Sequence, residues 1–303
     1  MNGSKRGAAR LRLAGLLGPG FLWILLFFNI PLVIVLFISF VERGRAGGIQ
    51  LPPVYTLSNY VQLFNACASE FSGPECNPFL YLGIFGHSVR IGLLVTFWCI
   101  LAGYPLAYFI STRNPRWRDT LMLLVIIPFW TNFLVRTYAL KSVLATEGLA
   151  NNFLMNLGLI DAPLDLLFNE FAVVLGLVYG YLPFAVLPMY ASIEKFDHTL
   201  MEAASDLGAP PRRAFWRIML PMTLPGVVAA LVLVFVPVVG AFITPDIMGG
   251  GKVEMIGTLI NRQFGVARNW PFGSSISLIL MLLVLIGVIA YFRSGGEDAR
   301  RAL

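Results

Sequence analysis

Residues 201–221 read Met201-Glu-Ala-Ala-Ser-Asp-Leu-Gly-Ala-Pro-Pro-Arg-Arg-Ala-Phe-Trp-Arg-Ile-Met-Leu-Pro221, a polar stretch between two long apolar blocks. Glu202 to Leu207 favours a short helix of small residues. Gly208 supplies a position that can take positive φ and end that helix. Pro210 or Pro211 suits the first turn of a second helix. That helix carries Phe215, Trp216 and Ile218 beside Arg212, Arg213 and Arg217, and Pro221 and Pro225 punctuate entry to the next block. The predicted element is a helix–turn–helix hairpin, with small residues for close docking and apolar residues to anchor it.

Outward from this hairpin the chain is built of apolar blocks at about 16–40, 84–110, 119–140, 171–193, 224–247 and 274–292. Each is near or above the roughly 20 residues needed to cross the hydrocarbon core of a bilayer. The 303 residues are 57% hydrophobic and 13% charged, with mean hydropathy +0.77, and the charges fall between the blocks. A soluble domain carries about a quarter charged residues, so the expected class is an all-α membrane protein with six spans. The first block follows Lys5, Arg6, Arg10 and Arg12, yet it exceeds the roughly 7–15 residues of a signal-peptide core and no small-residue cleavage site follows it. It reads as an uncleaved first helix. Pro105, Pro128, Pro183, Pro188 and Pro237 lie inside spans, where each removes a backbone donor and can kink its helix. Gly176 and Gly180 form a small-xxx-small pair that permits close helix approach.

Basic residues set the orientation. With the N-terminus inside, fourteen Lys and Arg fall on the inner side and six on the outer, which places both termini in the cytoplasm. The same rule accounts for the net charge of +6 without nucleic acid. The expected organisation is a cytoplasmic tail 1–15, a six-helix permease domain 16–292 whose cytoplasmic loop is 194–222, and a tail 293–303. The outer segment 41–83, with Pro52, Pro53, Gly73, Pro74 and Pro78, reads as a structured or partly helical loop. Segment 141–170 has Leu149, Phe153, Leu154, Leu157 and Leu159 at near-helical spacing, suited to the outer interface. Its acids Glu147, Asp161, Asp165 and Glu170 would form a mouth that attracts cations. Cys67 and Cys76 share the first outer loop, and their spacing permits a disulfide in an oxidising compartment without requiring one.

The hairpin resembles the EAA loop of binding-protein-dependent ABC importers: Glu-Ala-Ala, three residues, Gly, nine residues, Ile, one residue, Leu-Pro. Glu202, Ala203, Ala204, Gly208, Ile218, Leu220 and Pro221 meet that pattern without departure. The resemblance implies a type I importer permease of MetI-like architecture, whose coupling helix sits in a groove of a cytoplasmic ATPase; the physical reading of the hairpin adds Phe215 and Trp216 as its anchors. Further stretches are similar to the Pot-type spermidine/putrescine permeases, more to the B-type than the H-type subunit. They are Pro128-Phe-Trp-Thr-Asn132, Arg136-Thr-Tyr-Ala-Leu-Lys141, Ser192-Ile-Glu-Lys195, Asp206-Leu-Gly-Ala209, Asp246-Ile-Met-Gly-Gly250 and Asn269-Trp-Pro-Phe-Gly273. This implies a multi-pass protein of the bacterial inner membrane, a second homologous permease subunit, two ATPase copies that bind ATP and Mg, and a periplasmic binding protein. Permeases for other organic cations, amino-acid derivatives or ferric ion share parts of these stretches.

A polyamine path needs acids to replace hydration and aromatic faces for cation–π contact. Asp246, beside Phe242, is the one acid near the outer end of a span. Trp130, Asn132, Tyr138, Tyr179 and Tyr181 are the polar-aromatic candidates. An acid at membrane depth costs about 2.5–3.5 kcal/mol on insertion scales, so Asp246 should be paired or wet. Arg136 argues against a cation path there unless an acid neutralises it or it faces a partner. Gly249-Gly-Gly-Lys252 fails as a P-loop, because Asp246 stands at the first glycine and Val253 follows the lysine. His87 and His198 fall on opposite predicted faces and cannot share a metal. No nucleophile–base set is present, so no cofactor is expected in this chain and it reads as a transporter subunit, with a stand-alone secondary transporter or a membrane enzyme as competing classes.

Overall fold

The computed structural model describes residues 17–45, 47–68 and 77–301, with side chains described to Ile289. The expected N-terminal tail 1–15 and Cys76 lie outside these residues. In chain order the helices are α1 (Leu17–Ser39), α2 (Ser58–Phe64), α3 (Leu80–Ser111), α4 (Pro115–Trp130), α5 (Phe133–Leu144) and α6 (Leu149–Asn156). Then follow α7 (Glu170–Glu194), α8 (Thr199–Asp206), α9 (Pro211–Val239), α10 (Ile243–Gly249), α11 (Ile256–Phe264) and α12 (Trp270–Arg301). Among the described residues five helices are long and apolar enough to cross a membrane, and six if the bent stretch from Pro115 to Asn156 counts as one. The chain divides into two compact units, Met1–Tyr81 with Ile260–Leu285, and Leu82–Leu259 with Ile286–Leu303.

In the first unit, α1 widens into a π turn at Leu25–Asn29, just ahead of Pro31. A proline ring clashes with the carbonyl four residues back, and the wider turn relieves that clash. Where α1 ends, buried Asn59 of α2 satisfies the outgoing backbone: its Nδ2 donates to Ser39 O at 2.9 Å and Val41 O at 3.0 Å. Isolated antiparallel bridges join Val41 to Tyr55 and Arg43 to Ile49. Arg43 donates to Ala267 O at 2.6 Å, tying this loop to the turn before α12. The segment after α1 is therefore structured and partly helical. Cys67 is disulfide-bonded.

In the second unit, α3, α7 and α9 share a core that includes Ile91, Val95, Leu177, Met189, Ala230 and Val234. The glycine pair works as expected. A Cβ at Gly176 would strike Met248 and Thr244 of α10, and one at Gly180 would meet Phe133 of α5 at 3.3 Å. At Gly226 the α7–α9 crossing is closer still, with Ser192 and the Pro188 carbonyl in the way of any side chain.

Two expected spans need correction. The span 119–140 is broken at Thr131–Asn132, with a bend of 92°. Proline cannot continue the ladder, and the chain supplies a full set of substitutes. The Thr131 hydroxyl and the Arg136 guanidinium both donate to Pro128 O, at 2.6 and 3.2 Å, while Asn132 Oδ1 accepts the Leu134 N–H at 2.8 Å and starts α5. The span 224–247 begins instead at Pro211 and ends at Val239, and Ile243–Gly249 is a separate helix. Pro221 and Pro225 do not punctuate it. A π turn at Phe215–Met219 absorbs Pro221, so the second half of the hairpin and the span form one continuous helix. In 141–170 the apolar residues Leu149, Phe153, Leu157 and Leu159 are exposed, and it is Asn151 that is buried. Its side chain bonds to Ala145, Thr146 and Leu164 and ties the segment together.

Candidate functional site

The hairpin is built from caps. Asp197 Oδ1 accepts the Thr199 N–H at 3.0 Å, and this amide, with the Thr199 side chain, holds the exposed Asp197 carboxyl below the usual carboxylate range. α8 then closes at Gly208, which takes φ +79°. Gly208 N donates to Ser205 O and Ala209 N to Ala204 O, both at 2.9 Å, the paired bonds of a left-handed helix stop. Pro210 is extended and Pro211 opens α9.

The two arms approach through small residues, since Ala204 and Ala214 are both buried. Phe215, Ile218 and Leu220 are half-buried and pack against the core, together with Met201. Glu202, Ala203, Gly208, Trp216 and Pro221 are exposed. Leu207, at the tip, is 89% exposed. One side of the hairpin is thus anchored, and the other leaves a carboxylate, a tryptophan and a bare leucine exposed.

Sequence reasoning missed what the anchor rests on. Phe215 lies edge-on to Tyr104 of α3, with centroids 5.8 Å apart and planes at 83°. The Tyr104 hydroxyl is 2.8 Å from Thr223 Oγ1, buried between α3 and α9. Bonds of this kind inside a bilayer average about 0.6 kcal/mol, so their main effect is on register. Just before the hairpin, Glu194 accepts from Tyr190 at 2.9 Å and faces Arg118 of α4 at 3.7 Å. A tyrosine followed by proline inside an apolar block, Tyr104-Pro105, was the available signal for the first of these.

The substrate-path candidates are placed on elements that meet. Helices α5, α7 and α10 touch one another, and they carry Tyr138, Tyr179 with Tyr181, and Asp246 respectively. Trp130 is 78% exposed at the end of α4, and exposed Asn132 spends its Oδ1 on the cap of α5. Tyr138 and Tyr179 are exposed and Tyr181 is half-buried against Phe184. Asp246 is exposed in the first turn of α10, about one helical turn before Gly250, and Phe242 precedes that helix. Not every ring is free for a cation: Lys141 Nζ lies 5.9 Å from the Tyr138 centroid. Arg136 spends its charge on Pro128 O and on the faces of Phe129 and Phe133, at 4.8 and 5.6 Å. Of the outer acids, Glu170 is paired with Arg90 at 3.2 Å. No group of three or more His, Cys, Asp or Glu among the described residues could hold a metal ion.

Comparison with known proteins gives three kinds of likeness. The family described as binding-protein-dependent transport system inner membrane component matches residues 99–294, which include the hairpin. The spermidine/putrescine transport system permease protein PotB of Haemophilus influenzae is 39% identical over 274 residues, 90% of this chain and 91% of that protein. PotB of Escherichia coli K12 is 40% identical over 272 residues, covering 90% and 94% of the two chains. Among solved structures, a chain of a bacterial ABC transporter that imports the acidic polysaccharide alginate superposes with TM-score 0.74 over 98% of both chains, at 17% identity. That last likeness is one of fold.

Proposed function

The chain belongs to the binding-protein-dependent transport system inner membrane component family, and from that premise we propose that it is the membrane permease of a polyamine importer, driven through the hairpin 201–221. It is a multi-pass subunit of an inner-membrane ABC importer and not itself an enzyme. The observation that carries the mechanism is the hairpin's two-sidedness: Ala204, Ala214 and Phe215 fix it to the permease, while Glu202, Trp216 and Leu207 stay exposed.

In this reading both termini are cytoplasmic, as the basic residues require. A separate pair of ATPase subunits binds ATP and Mg, and its closure moves the exposed side of the hairpin. A second permease subunit completes the path, and a periplasmic binding protein delivers spermidine or putrescine. The polyamine assignment is supported by the near-full-length likeness to two PotB proteins. Asp246, with Phe242 and the aromatics Trp130, Tyr138, Tyr179 and Tyr181, supplies the acid and ring faces such a cation needs. Asn132 contributes at the broken span. The differential contacts made in the inward and outward states, not tightness of binding alone, drive the cycle.

The test is uptake by the assembled importer in proteoliposomes, with spermidine, putrescine and ferric ion offered separately. ATP-dependent accumulation of the polyamines is the expected result. Uptake by this chain alone under an ion gradient would contradict the importer reading, and ATP-driven uptake of ferric ion only would contradict the substrate.

A further inference from the structure

Thr223 lies just beyond the π turn of α9 and is 1% exposed. Its hydroxyl donates to Met219 O at 2.9 Å, which commits its one proton and leaves the Tyr104 hydroxyl as donor to Thr223 Oγ1. Its carbonyl accepts from Ser192 Oγ of α7 at 3.3 Å. One residue of α9 is therefore bonded to both α3 and α7. Tyr104 also presses on Phe215 within the π turn. Valine and phenylalanine would fill the same volumes without any buried polar group, so packing alone does not call for this pair.

The mechanical setting gives the arrangement a purpose. The hairpin's second arm and the span are one helix, Pro211–Val239. Between the arm and the membrane part, the helix passes through a five-residue π turn followed by Pro221 and Pro225, where the regular ladder is interrupted. A displacement applied at the hairpin would dissipate in that soft joint unless the helix were pinned within it, between the two prolines. Thr223 is that pin, and it fastens α9 to two other spans at once.

We propose that Thr223, bonded to Tyr104 and Ser192, is the positioning residue that passes hairpin movement from α9 to α3 and α7. The inference rests on the importer reading above and assigns a residue to its energy coupling. It predicts that losing the Thr223 hydroxyl separates ATP hydrolysis from transport instead of abolishing both.

The experiment measures substrate moved per ATP hydrolysed by the full importer in proteoliposomes, alongside the thermal melting of the assembled complex. Thr223→Val is expected to lower that ratio about fivefold, within the span by which residues along a coupling network shift an equilibrium, with ATP hydrolysis and melting near those of the unaltered complex. Thr223→Ser is expected to restore the ratio. Tyr104→Phe should reproduce the drop, and the double variant should be no worse than either single one, as for two partners in one bond. An unchanged ratio in Thr223→Val overturns the inference. So does a failure of Thr223→Ser to rescue, or a fall of transport and hydrolysis in step with lost folded complex. If the unaltered importer shows no ATP-driven uptake, the importer reading falls and takes this inference with it. If it transports and Thr223→Val transports equally well per ATP, only the inference falls.

Discussion

The hairpin end and the broken-span end of this permease solve the same problem in opposite ways. Both contain prolines that interrupt a helix ladder. At Phe215–Met219 the helix widens into a π turn and runs on to Val239, so the element stays one rod. At Thr131–Asn132 the helix stops, turns by 92° and restarts, with Thr131, Asn132 and Arg136 supplying the lost bonds. The difference lies in the residues after the proline. Around Pro221 the nearest polar side chain after the proline, Thr223, donates to Met219 O within the same helix, so the ladder is carried on. After Pro128, three polar side chains stand ready to cap both new ends. A continuous helix, pinned at Thr223 to α3 and α7, suits transmission of movement from the hairpin. A capped break leaves Trp130 and Asn132 exposed at a bend, which suits contact with a solute.

The largest expected effect comes from breaking the hairpin stop. Gly208→Pro removes the N–H that bonds Ser205 and forbids φ +79°. It should abolish ATP-driven uptake while the chain remains in the membrane, which membrane fractionation with an uptake assay checks. Glu202→Lys reverses an exposed charge without touching the fold and should do the same to coupling. If either variant transports normally, the hairpin is not where drive enters.

Next in size is the packing that supports the rod. Gly226→Leu would push into Ser192 and the Pro188 carbonyl. Overpacking of this kind costs about 1–3 kcal/mol, so the purified protein should melt earlier in detergent. A substrate-side change should behave differently. Asp246→Asn should weaken polyamine uptake while leaving folding and ATP hydrolysis intact. Unchanged uptake removes Asp246 from the path. At the break, Asn132→Ala loses the cap on α5 and should cost about 1 kcal/mol of stability, read by thermal melting.

The smallest effect is a pH dependence at the hairpin entry. Thr199 holds the Asp197 carboxyl below its ordinary range. The stabilisation is therefore present above the unfolded carboxyl's pKa and lost as pH falls through the lower folded one. Asp197→Asn should flatten the acid side of the hairpin's melting curve slightly, and an identical acid profile in both proteins would remove that cap from the account.

Much of this was legible in the residues, for reasons that differ by region. Hydrophobic run length located α1, α3, α7 and α12 closely, because lipid imposes a length. Gly208 announced its left-handed turn, because only glycine takes that conformation freely. The break at Thr131 was hidden, since apolar residues continue on both sides and hydropathy averages over a bend. The continuity through Pro221 was hidden too, because proline in sequence says that a donor is missing without saying whether the helix widens or ends. Tyr104 and Thr223 lie 119 positions apart. Their pairing depends on the packing of α3 against α9, which no local pattern encodes. The candidate path residues were found by chemistry alone, and the fold gathers Tyr138, Tyr179, Tyr181 and Asp246 onto three touching helices.

The central claim is that transport is driven through residues 201–221. Its most direct test is the rate of spermidine or putrescine uptake per ATP hydrolysed, in proteoliposomes holding the full importer, for the unaltered chain and for Gly208→Pro. The account predicts polyamine accumulation with the unaltered chain, and ATP hydrolysis that no longer moves substrate with the variant. Equal uptake per ATP in the two would contradict it.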